Sequence, residues 1–207
     1  MSVFKMLDLK MVFGYTTRRH LLLDLDSKTF KQAVFIAKSI TDTYDLGDCL
    51  ILLSSQKKEE FGIRYVQNEV QVYHIRPHSW HLVFDKFKSW NYLQKVVYDL
   101  ADLGIVEESF KEVREWRGDL TLRISPKLPK VSYMPIPVAY IYADDDYTMR
   151  GYYGIMTYAM HLANFAQFLY EREGSLYAYS ILNKIYYLKY IGLNLNIKKH
   201  LLTQVAQ

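Results

Sequence analysis

The chain has few of the residues that staple or break small folds: among its 207 residues are one cysteine, five prolines and nine glycines. The lone thiol, Cys49, excludes a disulfide framework and a cysteine-built zinc cluster, and it fits a reducing, cytoplasmic setting. The opening MSVFKMLDLK lacks the apolar core and small-residue cleavage site of a signal peptide. No phosphate-binding loop of the Gly-x4-Gly-Lys-Ser/Thr type occurs, which excludes a helicase motor within the chain. Long uncharged runs are scarce as well. The longest, Gly151–Tyr170, carries Thr157, His161, Asn164 and Gln167 every three or four residues, opposite Ile155, Tyr158, Ala159, Leu162, Phe165 and Leu169. A lipid-facing helix has no use for such a polar stripe, so no membrane partner is expected.

What is present is a globular balance, with 50% hydrophobic and 23% charged residues, enough apolar surface to build a core. The length fits one compact domain with or without a helical appendage. The net charge of +4 is unevenly placed. Residues 174–207 hold Lys184, Lys189, Lys198 and Lys199 and no Asp or Glu, so the rest of the chain is neutral in sum. Tyr177, Tyr179, Tyr186, Tyr187 and Tyr190 lie among these lysines. Cations interleaved with aromatic rings suit a nucleic-acid strand, whose phosphates and bases they can meet together. The alternative is an amphipathic terminal helix with buried tyrosines and solvated lysines.

Periodicity predicts the elements. His20–Asp26 (HLLLDLD) reads as a strand, Ser27 as the cap of a helix over 28–44, and Cys49–Ser55 as a second strand. Residues 61–75 alternate and break at Asn68, as in a hairpin, and His78–Phe84 is a further strand. A helix with Trp90 and Leu93–Leu103 stops at Gly104, and a short helical or extended piece covers 106–116, with Trp90 and Trp116 expected in the core. Leu120–Ser125 and the apolar run Val138–Ala143 follow, then helices at about 149–172 and 175–191. This order predicts an α+β fold: helices on one face of a mainly antiparallel sheet, plus C-terminal helices. Residues 1–148 are expected to form the α+β domain, and 149–207 a basic, tyrosine-rich helical appendage packed on it.

Three constellations carry chemistry. Alternation in HLLLDLD puts Leu21, Leu23 and Leu25 on one face and projects Asp24 and Asp26 together from the other. Two carboxylates one pleat apart repel unless a cation sits between them, and Mg²⁺ or Mn²⁺ with hard oxygen ligands is the usual one. The alternative makes one Asp a helix cap and leaves the other solvated. In HSWHLVF, Ser79 and His81 share a face and can donate to a phosphate, whereas His78 and His81 point apart and do not form a metal cluster. In Arg117–Lys127, alternation places Asp119, Thr121, Arg123 and Ser125 on one face with Lys127 just beyond, a carboxylate and cations fit for a metal and its anion or for a plain ion pair. Asp144, Asp145 and Asp146 read as a turn, and Lys57, Lys58 and Arg64 as a solvated hairpin.

In this order the pieces resemble the archaeo-eukaryotic primase superfamily, the primase-polymerases. Leu21–Asp26 is similar to its hydrophobics followed by Asp-x-Asp, Ser79-Trp80-His81 followed by Leu82-Val83-Phe84 to its small-x-His motif, and Leu122-Arg123-Ile124-Ser125 with Lys127 to the latter half of its third motif. The resemblance spans about residues 10–130 and implies an RRM-like sheet unit and nucleotidyl transfer. It implies that Asp24 and Asp26, with Asp119 or Glu112, hold Mg²⁺ or Mn²⁺. Ser79, His81, Arg123 and Lys127 would contact the triphosphate of an NTP or dNTP. The partners implied are a single-stranded DNA template, gripped by Lys184, Lys189, Lys198 and Lys199, and a separate helicase or replication protein. Asp119 stands closer to Arg123 than that family's pattern, and Glu112 has the better spacing. A second resemblance is to haloacid dehalogenase-like phosphatases, with Asp24 as nucleophile and Asp26 as acid/base, which would demand a parallel sheet. A third reading is a non-catalytic binder of single-stranded nucleic acid.

Overall fold

The computed structural model describes residues 12–56, 60–66, 69–75, 78–127, 134–143 and 154–173. Their elements are β1 (Gly14–Thr17), β2 (Leu22–Lys28), α1 (Phe30–Tyr44), β3 (Cys49–Gln56), β4 (Glu60–Val66), β5 (Glu69–Ile75), β6 (His78–Phe84), α2 (Trp90–Asp102), α3 (Glu108–Arg117), β7 (Leu120–Arg123), β8 (Ile136–Ile141) and α4 (Gly154–Glu173). The expected helix over 175–191, Asp144–Asp146, and Lys57 and Lys58 lie outside the described residues. So do Lys184, Lys189, Lys198 and Lys199.

The central sheet has the order β2-β6-β3-β8, with every ladder antiparallel. β4 and β5 pair as a separate hairpin, and β1 pairs with β7, which lies beside β2. The succession β2-α1-β3-β6-α2-β7, with β6 between β2 and β3, makes the fold α+β and RRM-like. β8 extends the sheet beyond β3.

α1 starts where Thr29, not Ser27, caps it. The Thr29 hydroxyl accepts from the Gln32 amide at 3.3 Å and the Gln32 side chain accepts from the Thr29 amide at 2.8 Å, a reciprocal capping box. Ser27 cannot serve because it adopts a left-handed backbone conformation, φ 55°, inside a bulge of β2. Ala33, Ala37 and Ile40 are buried and set α1 against the sheet. Phe30 meets Trp80 with ring centroids 5.4 Å apart, which fixes the helix side of the sheet as the face of Trp80, Leu82 and Phe84. α2 joins α1 through the Tyr92 hydroxyl, which donates to the Tyr44 carbonyl at 2.6 Å.

The opposite face of β2 and β6 carries Leu22, Asp24, Val83 and His81. It is not open throughout, since Leu22 and Val83 are as buried as Leu23 and Leu82. Tyr158, at the start of α4, is fully buried and meets Tyr15 of β1 edge-on. α4 begins against the end of β6: the Gly154 and Ile155 amides donate to the carbonyl and carboxylate of Asp85. The chain divides by its contacts after Tyr158. Beyond that point, Leu162, Ala166 and Leu169 form a buried stripe along α4 while Met160, Phe168 and Tyr170 are exposed. No described helix is long and apolar enough to cross a membrane.

Trp116 corrects one expectation, being 84% exposed rather than in the core. The inner face of α3 is that of Phe110 and Arg114, one turn apart, and Trp116 stands about half a turn around from Arg114. Trp90, the first residue of α2, is half-buried.

Candidate functional site

Two bulges shape the site. β3 carries one extra residue between Leu53 and Ser55, opposite the step from Ser79 to Trp80, and β2 carries one between Leu25 and Lys28, opposite His78 to Trp80. Each bulge turns a strand end and frees backbone from the ladder. On β2, Asp24 stands across from His81, and the Ser79 hydroxyl donates to Asp26 Oδ1. On β3, the carbonyl and hydroxyl of Ser54 both accept from Arg123 Nη2, the hydroxyl at 3.3 Å. Arg123 also donates to the Ser125 carbonyl, and its own carbonyl accepts from the Tyr158 hydroxyl at 3.2 Å. The structure thus gathers the pair Asp24 and Asp26, the pair Ser79 and His81, and Arg123, three segments that the sequence places far apart.

Asp24 is the carboxylate here with an unsatisfied oxygen. Its side chain as a whole is 40% exposed, yet Oδ1 is buried and accepts no hydrogen bond. Burial, then the neighbouring Asp26 charge, raises its pKa from 3.8 to about 6, opposed by Arg123, Lys127 and Arg114. His81 Nε2 lies 3.9 Å from Oδ1, too far for a hydrogen bond. Burial, with Arg123 nearby, pushes the His81 pKa down to about 3, so the ring is neutral and the contact is not an ion pair at physiological pH. His81 is 1% exposed, enclosed beside Asp24 on the neighbouring strand rather than in solvent.

The two candidates for a third carboxylate stand elsewhere. Asp119 accepts from the Thr121 hydroxyl at 3.0 Å, and Glu112 is exposed on α3. Among the described residues, no group of three or more His, Cys, Asp or Glu is placed to share a metal ion. Mg²⁺ commonly binds through one or two carboxylates and completes its shell with water and phosphate oxygens. The pair Asp24 and Asp26, with a buried carboxylate oxygen lacking any donor, fits that mode.

Three groups here escaped sequence reasoning. Arg114 is 8% exposed, donates to the Thr121 carbonyl at 3.0 Å and lies over the Phe110 ring, while its Nε and Nη1 are buried without acceptors. It carries positive field to both Asp119 and Asp24. Its spacing one turn from Phe110 was the available signal. Ser54 and Tyr158 had none, because a bulge and a distant helix bring them in. Lys127 is exposed, yet near enough to bear on Asp24. Compared with protein-family models, curated proteins and solved structures, the chain matches none.

Proposed function

We propose that the protein is a metal-dependent nucleotidyltransferase of the primase-polymerase type, which makes or extends a short primer on single-stranded DNA from NTPs or dNTPs. The observation that carries this reading is the carboxylate pair: Asp24 with a buried, unpartnered oxygen, one pleat from Asp26, under the cations Arg123, Arg114 and Lys127. In a site of that kind the chain would bind a polyanion at its cationic side and a divalent ion at its carboxylate side.

Asp24 and Asp26 would hold Mg²⁺ or Mn²⁺, which when bound lowers the pKa of an attacking hydroxyl and offsets charge on a departing pyrophosphate. The chain's own residues do the positioning. Ser79 fixes Asp26 through its hydroxyl, which donates to Oδ1. His81, neutral and buried, stands across from Asp24 without neutralising it. Arg123 is locked by carbonyls of Ser54 and Ser125, so its positive charge stands in place before any phosphate arrives. Lys127, on the exposed side, would take the outer phosphates. A third carboxylate, Asp119 or Glu112, would have to move to join the pair. A separate helicase or replication protein would supply unwinding.

The phosphatase reading fails on the fold, because every ladder among the described strands is antiparallel. The non-catalytic reading is favoured by one observation, the lack of a three-ligand group among the described residues. A template-directed extension assay separates it. Primed and unprimed single-stranded DNA are offered with Mg²⁺ or Mn²⁺ and either rNTPs or dNTPs, to wild type and to Asp24→Ala/Asp26→Ala. Product from wild type alone is expected. No product from either, with equal strand binding by both, would sink the enzyme reading in favour of a binding protein.

A further inference from the structure

The outer face of α1 points away from the carboxylate pair and carries a second pattern. Lys31, Phe35 and Lys38 recur at helical spacing and are all exposed, Phe35 by 73%. A large apolar ring that open on a helix otherwise held by Ala33, Ala37 and Ile40 contributes nothing to the core. Beside it lies an open groove of about 240 Å³, lined by Lys28, Lys31, Gln32, Phe35 and Ile36. From Lys28 to Thr41 the chain has three lysines and no acid. The first carboxylate of the stripe, Asp42, comes one turn after Lys38. Lys31 and Lys38 are separated by about 10 Å along the helix, the span of about three stacked nucleotides.

We infer that this face binds single-stranded nucleic acid, with a base stacked on Phe35 and phosphates at Lys28, Lys31 and Lys38. Charge complementarity names a polyanion, and the exposed ring between the cations names one that carries flat apolar groups. A polyanion without bases would gain nothing from Phe35. This goes beyond the proposed catalysis. It concerns the opposite side of the sheet, and it is read by binding alone, so failure of the extension assay leaves it standing and its own failure leaves that assay untouched.

The test is fluorescence anisotropy of a labelled oligo(dT) 20-mer with the full chain, over a salt series, against Phe35→Ala and Lys31→Gln/Lys38→Gln. A poly-glutamate 20-mer serves as the polyanion without bases. All three positions are exposed, so the variants keep the fold, and circular dichroism checks that they do. Loss of one stacked base predicts weakening by about five- to a hundred-fold in Phe35→Ala for oligo(dT) and none for poly-glutamate. Loss of two phosphate contacts predicts that the slope of log K on log salt falls in magnitude by about 1.4 in Lys31→Gln/Lys38→Gln. Wild-type affinity for oligo(dT) in both variants would overturn the inference. An equal loss for poly-glutamate and oligo(dT) would also overturn it, since the face would then serve an acidic protein segment.

Discussion

Replacing Asp24 by Asn should stabilise the protein while abolishing any chemistry that depends on it. The folded state holds the Asp24 pKa at about 6 against an ordinary 3.8. A raised carboxyl pKa means that folding favours the protonated form, so the ionised form costs stability at high pH. For a wholly buried charge that displacement amounts to ~3 kcal/mol. The Asp24 side chain is 40% exposed, and water at its outer oxygen screens the penalty to ~1 kcal/mol. Asp24→Asn removes the charge and keeps the shape. At pH 7.5 it should therefore raise Tm by about 2–4 °C for a domain of this size. As pH falls through 6 towards 3.8 the wild-type carboxyl takes up its proton, and the advantage of the variant should shrink towards zero. A second arm adds Mn²⁺, which should raise the Tm of wild type and leave Asp24→Asn unmoved. The assay is thermal unfolding by circular dichroism at pH 7.5, 6 and 4, with and without metal. A variant less stable than wild type at pH 7.5 would refute the reasoning, because it would mean that the charge of Asp24 is well satisfied.

Two further outcomes test the packing around the site. His20 is fully buried between the rings of Tyr15 and Phe87, with neither ring nitrogen hydrogen-bonded, and burial pushes its pKa down to about 4. Its neutral form therefore contributes stability that is complete above pH 6.5 and lost as pH falls towards 4. Urea unfolding at pH 7 and pH 5 should show wild type losing about 2 kcal/mol more than His20→Phe over that interval, and an equal loss would sink the assignment. Gly154→Ala would place a methyl 2.5 Å from the Phe84 carbonyl oxygen and 2.8 Å from that of Asp85, both backbone atoms that cannot swing away. It should cost about 1–3 kcal/mol in the same measurement, and a neutral result would mean that the start of α4 is looser than described.

Much of the fold was legible because its patterns are local. HLLLDLD, CLILLSS and HSWHLVF are strands by alternation or apolar run, and Trp90–Leu100 is a helix by its three-and-four spacing. Asn68 falls between the two strands of the hairpin. β1 escaped because four residues, GYTT, offer no periodicity, and it is made a strand by β7, which lies more than 100 residues away in the sequence. Serine commonly caps helices, so the sequence predicts Ser27 in that role. The β2 bulge turned its backbone left-handed and passed the role to Thr29.

The sequence by itself determined that Asp24 and Asp26 leave one strand together, since alternation is a property of the extended backbone. It also determined that Ser79 and His81 share a face. Only the tertiary structure decided what those groups meet. Antiparallel register set Asp24 across from His81, and twin bulges beside Ser79 gave Asp26 a donor and freed the Ser54 carbonyl for Arg123. Burial, which no single strand possesses, left one oxygen of Asp24 without a partner and stripped His81 of its charge. Residue spacing is written along the chain, whereas desolvation depends on everything that packs around a group. The carboxylates could therefore be found from the sequence, but their electrostatic state could not.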